Sequence, residues 1–600
     1  MQLARISISN FRNFSALDVE LAGNVVVVGE NRVGKSNLLY ALRLLLDPTL
    51  PDSARQLAFS DFWDGLTVPA ADNRITIAVE ISDFEEDLDE LALLTDYRLE
   101  DDAHRARLVC EFRPRPGLED APTSEEDFEF ICYGGEDEAK RFGHDLRRRI
   151  SMEVLPALRD VEGDLAVWRR SPLRPLIEKA FRTVDAEDIQ EIADAVQEAT
   201  AKITEFDEVE TLETNIGELF VKTSGARQDI KPRLGFGPTE SSRLYRTIRL
   251  LIDEGSRSIS DASLGSANLM FLTLKTLELR QMLAENKRDH TFLCIEEPEA
   301  HLHPHLQRSV YRHLFESVQD GDNAEPLSVF LTTHSPHIAS VAPIRSLLLI
   351  KDEGDNGSVG YSSAEADLTD DDADDLARYL DVTRAEMLFA RGIILVEGDA
   401  ERFLVPAFAA AMDVSLDHLG ITVCSVAGTN FKPYVKFLTA MGIPFAVLTD
   451  WDLRDGATAL GHTRAGNLVR TIERAKSDDG QVPAAVTARL DDDGDDERRT
   501  LAAEYGIFTN DHTLEVDLFG DDDFRDLVIA TLREYRFGPT RTALIDGWEA
   551  DPDSLDNEDF LALVDTIGKG RFAQRLASRM NGEAPLAYIR DAIRFVRDRV

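Results

Sequence analysis

The stretch Val25-Val26-Val27-Val28-Gly29-Glu30-Asn31-Arg32-Val33-Gly34-Lys35-Ser36 decides the reading of the whole chain. Its last eight residues fit G-x-x-x-x-G-K-[ST], the phosphate-binding loop. They stand behind an apolar run that reads as a buried strand and ahead of Asn37–Leu46, which reads as a helix. Glycines let the backbone wrap a triphosphate, so that N–H groups and the helix N-terminus face anionic oxygens. Gly29, Asn31, Gly34, Lys35, Ser36 and Asn37 are therefore the candidate nucleotide-binding residues. Lys35 reaches the terminal phosphates, and the Ser36 hydroxyl is placed to ligate one Mg²⁺ carried with ATP. The competing reading is a glycine-rich turn beside a stray lysine, and it must explain the whole match as accident.

Six hundred residues exceed one hydrophobic core, so two to four domains are expected. With 43% hydrophobic and 30% charged residues the chain is globular. No apolar run approaches the ~18 residues of a membrane span, and MQLARISISNFRNF has no signal-peptide core. No membrane partner and a cytoplasmic location are expected. Cys110, Cys132, Cys294 and Cys424 are scattered without a C-x-x-C pair, which argues against a disulfide frame or a cysteine zinc site. The net charge of −45 opposes nucleic acid; if DNA is a partner, it has to be met through local basic patches and bridging metal ions. The acids are either spread over the whole surface or clustered in solvated loops such as 370–375 and 490–497. Arg147-Arg148-Arg149 and Arg169-Arg170-Ser171-Pro172-Leu173-Arg174 are candidate DNA contacts, each read first as a solvated helix face.

Along the chain, LARISISNFRNFSALDVEL alternates like edge strands preceding a nucleotide-binding core, and 75–81 and 106–112 are further strands. The expected layout is an α/β nucleotide-binding domain in two parts, 1–140 and 236–380, interrupted at 141–235 by a helical insert. That insert reads either as a dimer contact or arm, or as plain domain packing. A second α/β domain with a largely parallel sheet follows at 385–525, and 526–600 is a helical region expected to complete it.

Three later segments complete an ATP-hydrolysing site. Thr291-Phe-Leu-Cys-Ile-Glu296-Glu297-Pro298-Glu299 is a buried strand that delivers acids at its C-terminal end, where open α/β sheets place ligands. One acid holds Mg²⁺, and the next polarises the attacking water. Phe330-Leu-Thr-Thr-His334-Ser-Pro is a strand with a polar tip, from which His334 reaches the γ-phosphate. Ser263-Leu264-Gly265 opens the long helix LMFLTLKTLEL, whose small N-terminal residues offer backbone N–H groups to a phosphate.

Taken in that order, these motifs resemble the ABC-type ATPases of the SMC-like branch, and more narrowly the overcoming-lysogenisation-defect (OLD) nucleases, class 1-like. SLGSAN stands as the signature motif, IEEPEAHLHP as the most specific block and THSP as the histidine motif. The resemblance implies that Glu296 supports the metal, Glu297 is the catalytic glutamate and His334 is the switch histidine. It also implies that Ser263 and Gly265 act in trans on the ATP of a second subunit, so a homodimer is expected. Gln56 is only a positional candidate for the Q-loop glutamine.

A second acid constellation lies further on. Glu397 ends the apolar strand Gly392-Ile-Ile-Leu-Val, and Glu401 follows one helical turn later. Asp450 and Asp452 stand past the buried strand Pro444-Phe-Ala-Val-Leu-Thr. Adjacent parallel strands bring such tips together, and converging carboxylates require divalent cations. Hard oxygen ligands suit Mg²⁺ or Mn²⁺, and two ions ~4 Å apart cut phosphodiesters. The bland alternative is a set of solvated acids in an acid-rich chain.

VEGDAE and LTDWD resemble the glutamate and D-x-D motifs of a Toprim domain, and ABC ATPase followed by Toprim is the OLD layout. The fold class expected is thus α/β: a P-loop ABC-type ATPase with a helical insert, then a Toprim domain and a helical C-terminal region. The resemblance implies Glu515, in preference to Asp517, as a further metal ligand. It implies Lys569 as a clamp for transition-state phosphate charge, with a surface cation as the alternative. The activity implied is an ATP-dependent or ATP-regulated, two-metal DNA endonuclease, in phage defence or DNA repair. The alternative is a DNA-binding SMC-like ATPase whose Toprim domain does not hydrolyse. A topoisomerase would need a nucleophilic tyrosine in a DNA gate, and no gate segment is recognisable. The family's two-component members add a helicase partner.

Overall fold

Val25 to Val28 are each at most 1% exposed, because β3 (Val25–Gly29) is an inner strand of a six-stranded sheet and is buried on both faces. The order is β13 (Ser358–Ser362), β12 (Leu347–Asp352), β3, β11 (Leu327–Thr332), β10 (His290–Glu296) and β7 (Ile150–Leu155). All but β13 run parallel. The C-terminal tips of β3, β10 and β11 therefore share one edge. The structure, a computed structural model, describes residues 1–600 apart from 119, 158–159, 225–232, 236–243, 301, 320–325, 381, 453–457, 478–479 and 492–493. His301 of the IEEPEAHLHP block and residues 492–493 of the second acidic run lie outside the described residues.

A second, antiparallel sheet has the order β2 (Phe14–Glu20), β1 (Gln2–Phe11), β4 (Ile75–Ser82), β5 (Ala106–Pro114), β6 (Phe128–Gly134). Helix α1 (Lys35–Leu46) packs against strands of both sheets, burying Leu38, Leu42 and Leu45 completely. The N-terminal alternation was expected to mark edge strands. Only β2 is one, because β4, from far along the chain, pairs with the other side of β1. The cysteine expectation is corrected here too. Cys110 and Cys132 face each other across β5 and β6 and form a disulfide, with Cα atoms 4.3 Å apart. A cross-strand pair needs no short sequence spacing, so the scattering of the cysteines did not reveal it.

The chain separates into two units, Met1–Leu155 with His290–Val600, and Pro156–Asp289. β7 lies inside the stretch whose pattern reads as helical; its pairing partner β10 is well over a hundred residues away, beyond any local periodicity. Within the second unit, α2 (Leu173–Arg182) packs on α5 (Leu264–Ala284), and Gln281 donates to the Pro175 carbonyl (3.3 Å). This unit also contains α3 (Ala186–Ala201), α4 (Asp207–Ser224) and the hairpin β8 (Leu251–Ile252)–β9 (Arg257–Ser258).

The C-terminal half of the first unit carries an all-parallel sheet, in the order β15 (Ile421–Ser425), β14 (Gly392–Val396), β16 (Phe445–Thr449), β17 (Ile507–Thr509). Helices α7 (Asp399–Ala411), α8 (Leu460–Lys476) and α11 (Ala587–Arg597) pack against its strands, and α9 (Leu514–Gly520) and α10 (Lys569–Ala577) share its core. Ile394, Leu448, Phe408, Phe524 and Ile593 share its core. The helices after residue 526 contribute Phe560, Phe572 and Ile593 to this same core.

Candidate functional site

The phosphate loop turns on Gly34. Its φ is 101°, and a Cβ there would lie 1.9 Å from the Asn13 amide nitrogen, so only glycine fits. Asn13 stitches the loop by donating to the Val33 carbonyl (2.7 Å) and accepting from the Asn37 amide (2.7 Å); Arg12 donates to Asn37 Oδ1 (2.9 Å). No side chain caps α1 at Gly34, which leaves its first N–H groups open to an anion. Lys35 is 8% exposed and donates to the carbonyls of Gly29 (3.0 Å) and Glu30 (2.7 Å). Burial lowers its pKa to about 8, against the pull of Glu297, Glu299 and Glu30. A buried ammonium at an uncapped helix start fits a triphosphate, whose charge would restore the usual lysine pKa.

Glu296 ends β10 and pairs in register with Thr332 of β11. Glu297 follows in left-handed backbone (φ 41°), its N–H bonded to the Thr332 carbonyl (2.9 Å). Its carboxylate lies 3.7 Å from His334 Nε2. Burial and Lys35 lower the His334 pKa, and Glu297 opposes them. His334 lines one crevice with Gly29, Glu30 and Asn31. Glu299, the last acid of the IEEPE run, accepts from Thr333 Oγ1 (2.8 Å) and the His334 N–H (2.6 Å), which joins the two strand tips. Gln56 is exposed and lines a different cleft, with Arg115 and Phe128. Ser263 caps α5 through the Ser266 N–H (3.2 Å), and Gly265 sits in its first turn, both within the second unit.

The second site forms where β14 and β16, side by side, end in Glu397 and Asp450. Trp451 turns into the core at 1% exposure under Arg499, 4.2 Å over its ring. The residues on either side of it, Asp450 and Asp452, are left at the tip, Asp452 in left-handed backbone (φ 50°). Glu397 Oε1 accepts from Thr449 Oγ1 (2.5 Å) and the Asp450 N–H (3.0 Å). Glu401 caps α7 through the Gly398 N–H (3.1 Å). Its pKa is raised to about 7 by burial, then by Glu515 and Glu397. Burial, then Glu397, Glu401 and Asp452, push Asp450 up to about 8, against the bond from Asn510. Glu515, 3% exposed, lies 3.7 Å from Lys569 Nζ. Burial alone would lower the Lys569 pKa, but Glu515, Asp450, Asp565 and Glu401 together raise it.

Two carboxyls driven this far up by burial and by neighbouring acids fit a divalent cation, which would stabilise their charged forms. In their present positions no three His, Cys, Asp or Glu side chains among the described residues surround a point tightly enough for an ion. Arg464 of α8 stands among them instead, bonded to Glu397 Oε1 (3.0 Å) and Asp452 Oδ2 (2.9 Å). Neither Arg464 nor Asn510 was foreseen. Asn510 follows β17, donates to Asp450 Oδ1 and accepts from the Trp451 N–H (2.8 Å). Neither carries a motif, and both are found only through the sheet order.

The raised acids make a pH prediction. Between the ordinary carboxylate range and about pH 8 the folded protein keeps protons that the unfolded chain has lost, so cation-free stability falls as pH rises. The melting temperature in chelator is expected to be lower at about pH 8.5 than at about pH 5.5, with Asp450→Asn shrinking the difference. Binding of Mn²⁺ near pH 7 should release roughly one proton, read by calorimetry in buffers of different ionisation enthalpy. No proton release and a pH-independent melting temperature would refute the buried-acid assignment.

The expected basic segments divide. Arg147 is 7% exposed, donates to the Leu45 carbonyl (2.8 Å) and stacks on Phe142, so it holds the fold together. Arg170 pairs with Asp164 (3.3 Å) and Arg174 with Glu178 (2.9 Å).

Comparison with known proteins agrees with this two-site layout. Residues 1–146 and 168–339 match the AAA ATPase domain model. Residues 388–452 match the overcoming lysogenization defect protein-like TOPRIM domain model. The chain is 26% identical over 459 residues to an OLD nuclease of Thermus scotoductus, covering 75% of this chain and 82% of that one. It is 28% identical to the uncharacterized protein YbjD of Escherichia coli, covering 75% and 80%. The solved C-terminal region of the Burkholderia pseudomallei OLD protein is 44% identical, covering 35% of this chain and 98% of that one, with a TM-score of 0.31. No helix among the described residues is long and apolar enough to cross a membrane. With the ATPase model matched over more than half its length and a TOPRIM segment behind it, the chain belongs to the OLD family of ATPase–TOPRIM proteins.

Proposed function

We propose that this protein is an ATP-hydrolysing, divalent-metal-dependent DNA endonuclease that works as a homodimer in the cytoplasm. The observation that carries the reading is that Glu397, Asp450 and Asp452 stand at two adjacent strand ends beside Glu401 of α7, with the Asp450 pKa raised to about 8. Glu397, Glu401, Asp450, Asp452 and Glu515 would hold two Mg²⁺ or Mn²⁺ ions, which would supply an activated water and stabilise the leaving oxygen. Lys569 then faces the charge that builds on the phosphate, close to Glu515 and Asp450. At the other site Lys35, Ser36 and the start of α1 hold the phosphates, and Glu296 supports their Mg²⁺. Glu297 takes the proton of the attacking water, and His334, turned toward Glu297, senses the γ-phosphate.

Ser263 and Gly265 complete the partner's ATP site in this reading. Exposed apolar residues on the second unit, Ile192 of α3 and Leu212 and Leu219 of α4, suit a dimer contact. Phage defence and DNA repair both suit such an enzyme. Incubating plasmid with protein and Mg²⁺ or Mn²⁺, with and without ATP, tests the proposal; intact plasmid under every condition refutes it. The placement of Arg464 among the acids favours a second reading, a DNA-binding ATPase without hydrolysis, which the same experiment separates.

DNA has to approach a strongly acidic protein. Helix α6 (Pro304–Gln319), just behind IEEPEAHLHP, buries Tyr311, Leu314 and Phe315 and turns His305, Arg308, Arg312 and His313 outward. His305, Arg308 and Arg312 lie three and four residues apart on one face, with His313 and Glu316 beside them. Its positive field reaches His337, whose pKa is lowered by burial and then by Arg308, His305 and His303. This face suits a phosphate backbone. Arg308→Glu with Arg312→Glu is expected to weaken DNA binding roughly tenfold and to flatten its salt dependence. Unchanged binding would place the DNA elsewhere.

A further inference from the structure

Gly461 opens the chain of contacts that brings Arg464 to the acid cluster. A Cβ on Gly461 would lie 2.7 Å from the Asp450 carbonyl oxygen and from Trp451 Cα. Its N–H bonds the Trp451 carbonyl (2.8 Å), and that of Leu460 bonds the Asp452 carbonyl (3.2 Å). Helix α8 can therefore start directly against the D-x-D turn, and Arg464, about one turn later, projects between the two strand tips.

There its guanidinium donates to Glu397 Oε1 (3.0 Å), Asp452 Oδ2 (2.9 Å), the Asp450 carbonyl (3.0 Å) and Thr449 Oγ1. The side chain is 15% exposed. These contacts use one oxygen from each of two acids on separate segments. A planar fork spans that gap, which a point-charged ammonium cannot do.

We propose that Arg464 is a resident counter-cation: it holds Glu397 and Asp452 in place before metal arrives and must withdraw for a divalent ion to share those oxygens. Arg464 is thus a positioning residue that sets the cation affinity of the cluster. The carboxylates cannot serve both cations at full strength, so each occupant weakens the other. The cluster avoids the repulsion of bare acids, and it loads metal only where the ion outcompetes the arginine. This inference rests on the reading of the cluster as a divalent-cation site.

The test is Mn²⁺ binding to nucleotide-free full-length protein, by calorimetry or Mn²⁺ electron paramagnetic resonance, with Asp450→Ala defining the signal that belongs to this cluster. Arg464→Met should bind Mn²⁺ roughly tenfold more tightly, since a competing unit charge is gone. Its melting temperature in chelator should fall below that of the unaltered protein, and Mn²⁺ should close the gap. Arg464→Lys should recover part of the lost stability and return the affinity partway. A Met variant that folds only when Mn²⁺ is present supports the same conclusion. Unchanged or weaker Mn²⁺ affinity in folded Arg464→Met overturns the proposal. If neither the unaltered protein nor either variant shows Asp450-dependent Mn²⁺ binding, the cation-site reading itself fails.

Discussion

Asp450→Ala is expected to lower DNA cleavage more than about 100-fold, since changes even to the groups supporting metal ligands cost 10–100-fold. ATP turnover should stay within about twofold, because the two sites share no side chain. Asp450 lies at the tip of β16, where Glu397, Glu401 and Asp452 act on its carboxyl. Removing it deletes the acid with the most raised pKa in the cluster and frees the Asn510 amide that it accepts from. Asp450→Asn keeps the volume while losing the charge, so it separates loss of a ligand from local collapse. Both variants should fail to nick plasmid with Mg²⁺ and with Mn²⁺. Nicking at the normal rate by either would move the cutting site elsewhere in the molecule.

Glu297→Gln carries the second large effect. The substitution preserves shape and the strained backbone at φ 41° but removes the proton acceptor. General-base contributions are typically 10²–10⁴-fold, so ATP turnover should drop by about that factor while ATP binding persists. The half-exposed carboxylate lies 3.7 Å from His334 and acts on Lys35, as a group facing the γ-phosphate would. Fluorescent-nucleotide binding measured beside single-turnover hydrolysis checks both halves of the prediction. Normal turnover would shift the base to another acid, with Glu299 the nearest candidate by its bonds to Thr333 and His334.

Much of both sites was legible because each motif is local. A phosphate loop is one strand, one turn and one helix, and its glycines are dictated by backbone approach that no other residue permits. Buried strands in a parallel sheet read as unbroken apolar runs, so Val25–Val28, Phe292–Ile295 and Ile393–Val396 announced themselves, together with the acids at their ends. The disulfide between Cys110 and Cys132, the strand at Ile150–Leu155 and the inner position of β1 were not legible. Each depends on a partner strand whose register local pattern does not encode. Arg147 likewise reads as one of three surface cations until the fold wraps it around the Leu45 carbonyl.

The amino-acid order alone determined which residue types stand at each strand end, and hence which chemistries the protein commands: phosphate binding, hydrolysis assisted by an acid, and cation binding. Tertiary structure decided which of those ends meet. Strand order placed Asp450 beside Glu397 and Asn510, and the tight start of α8 at Gly461 delivered Arg464 into the same cluster. Charges sense one another through space over a few ångströms, and that distance is set by packing rather than by separation along the chain.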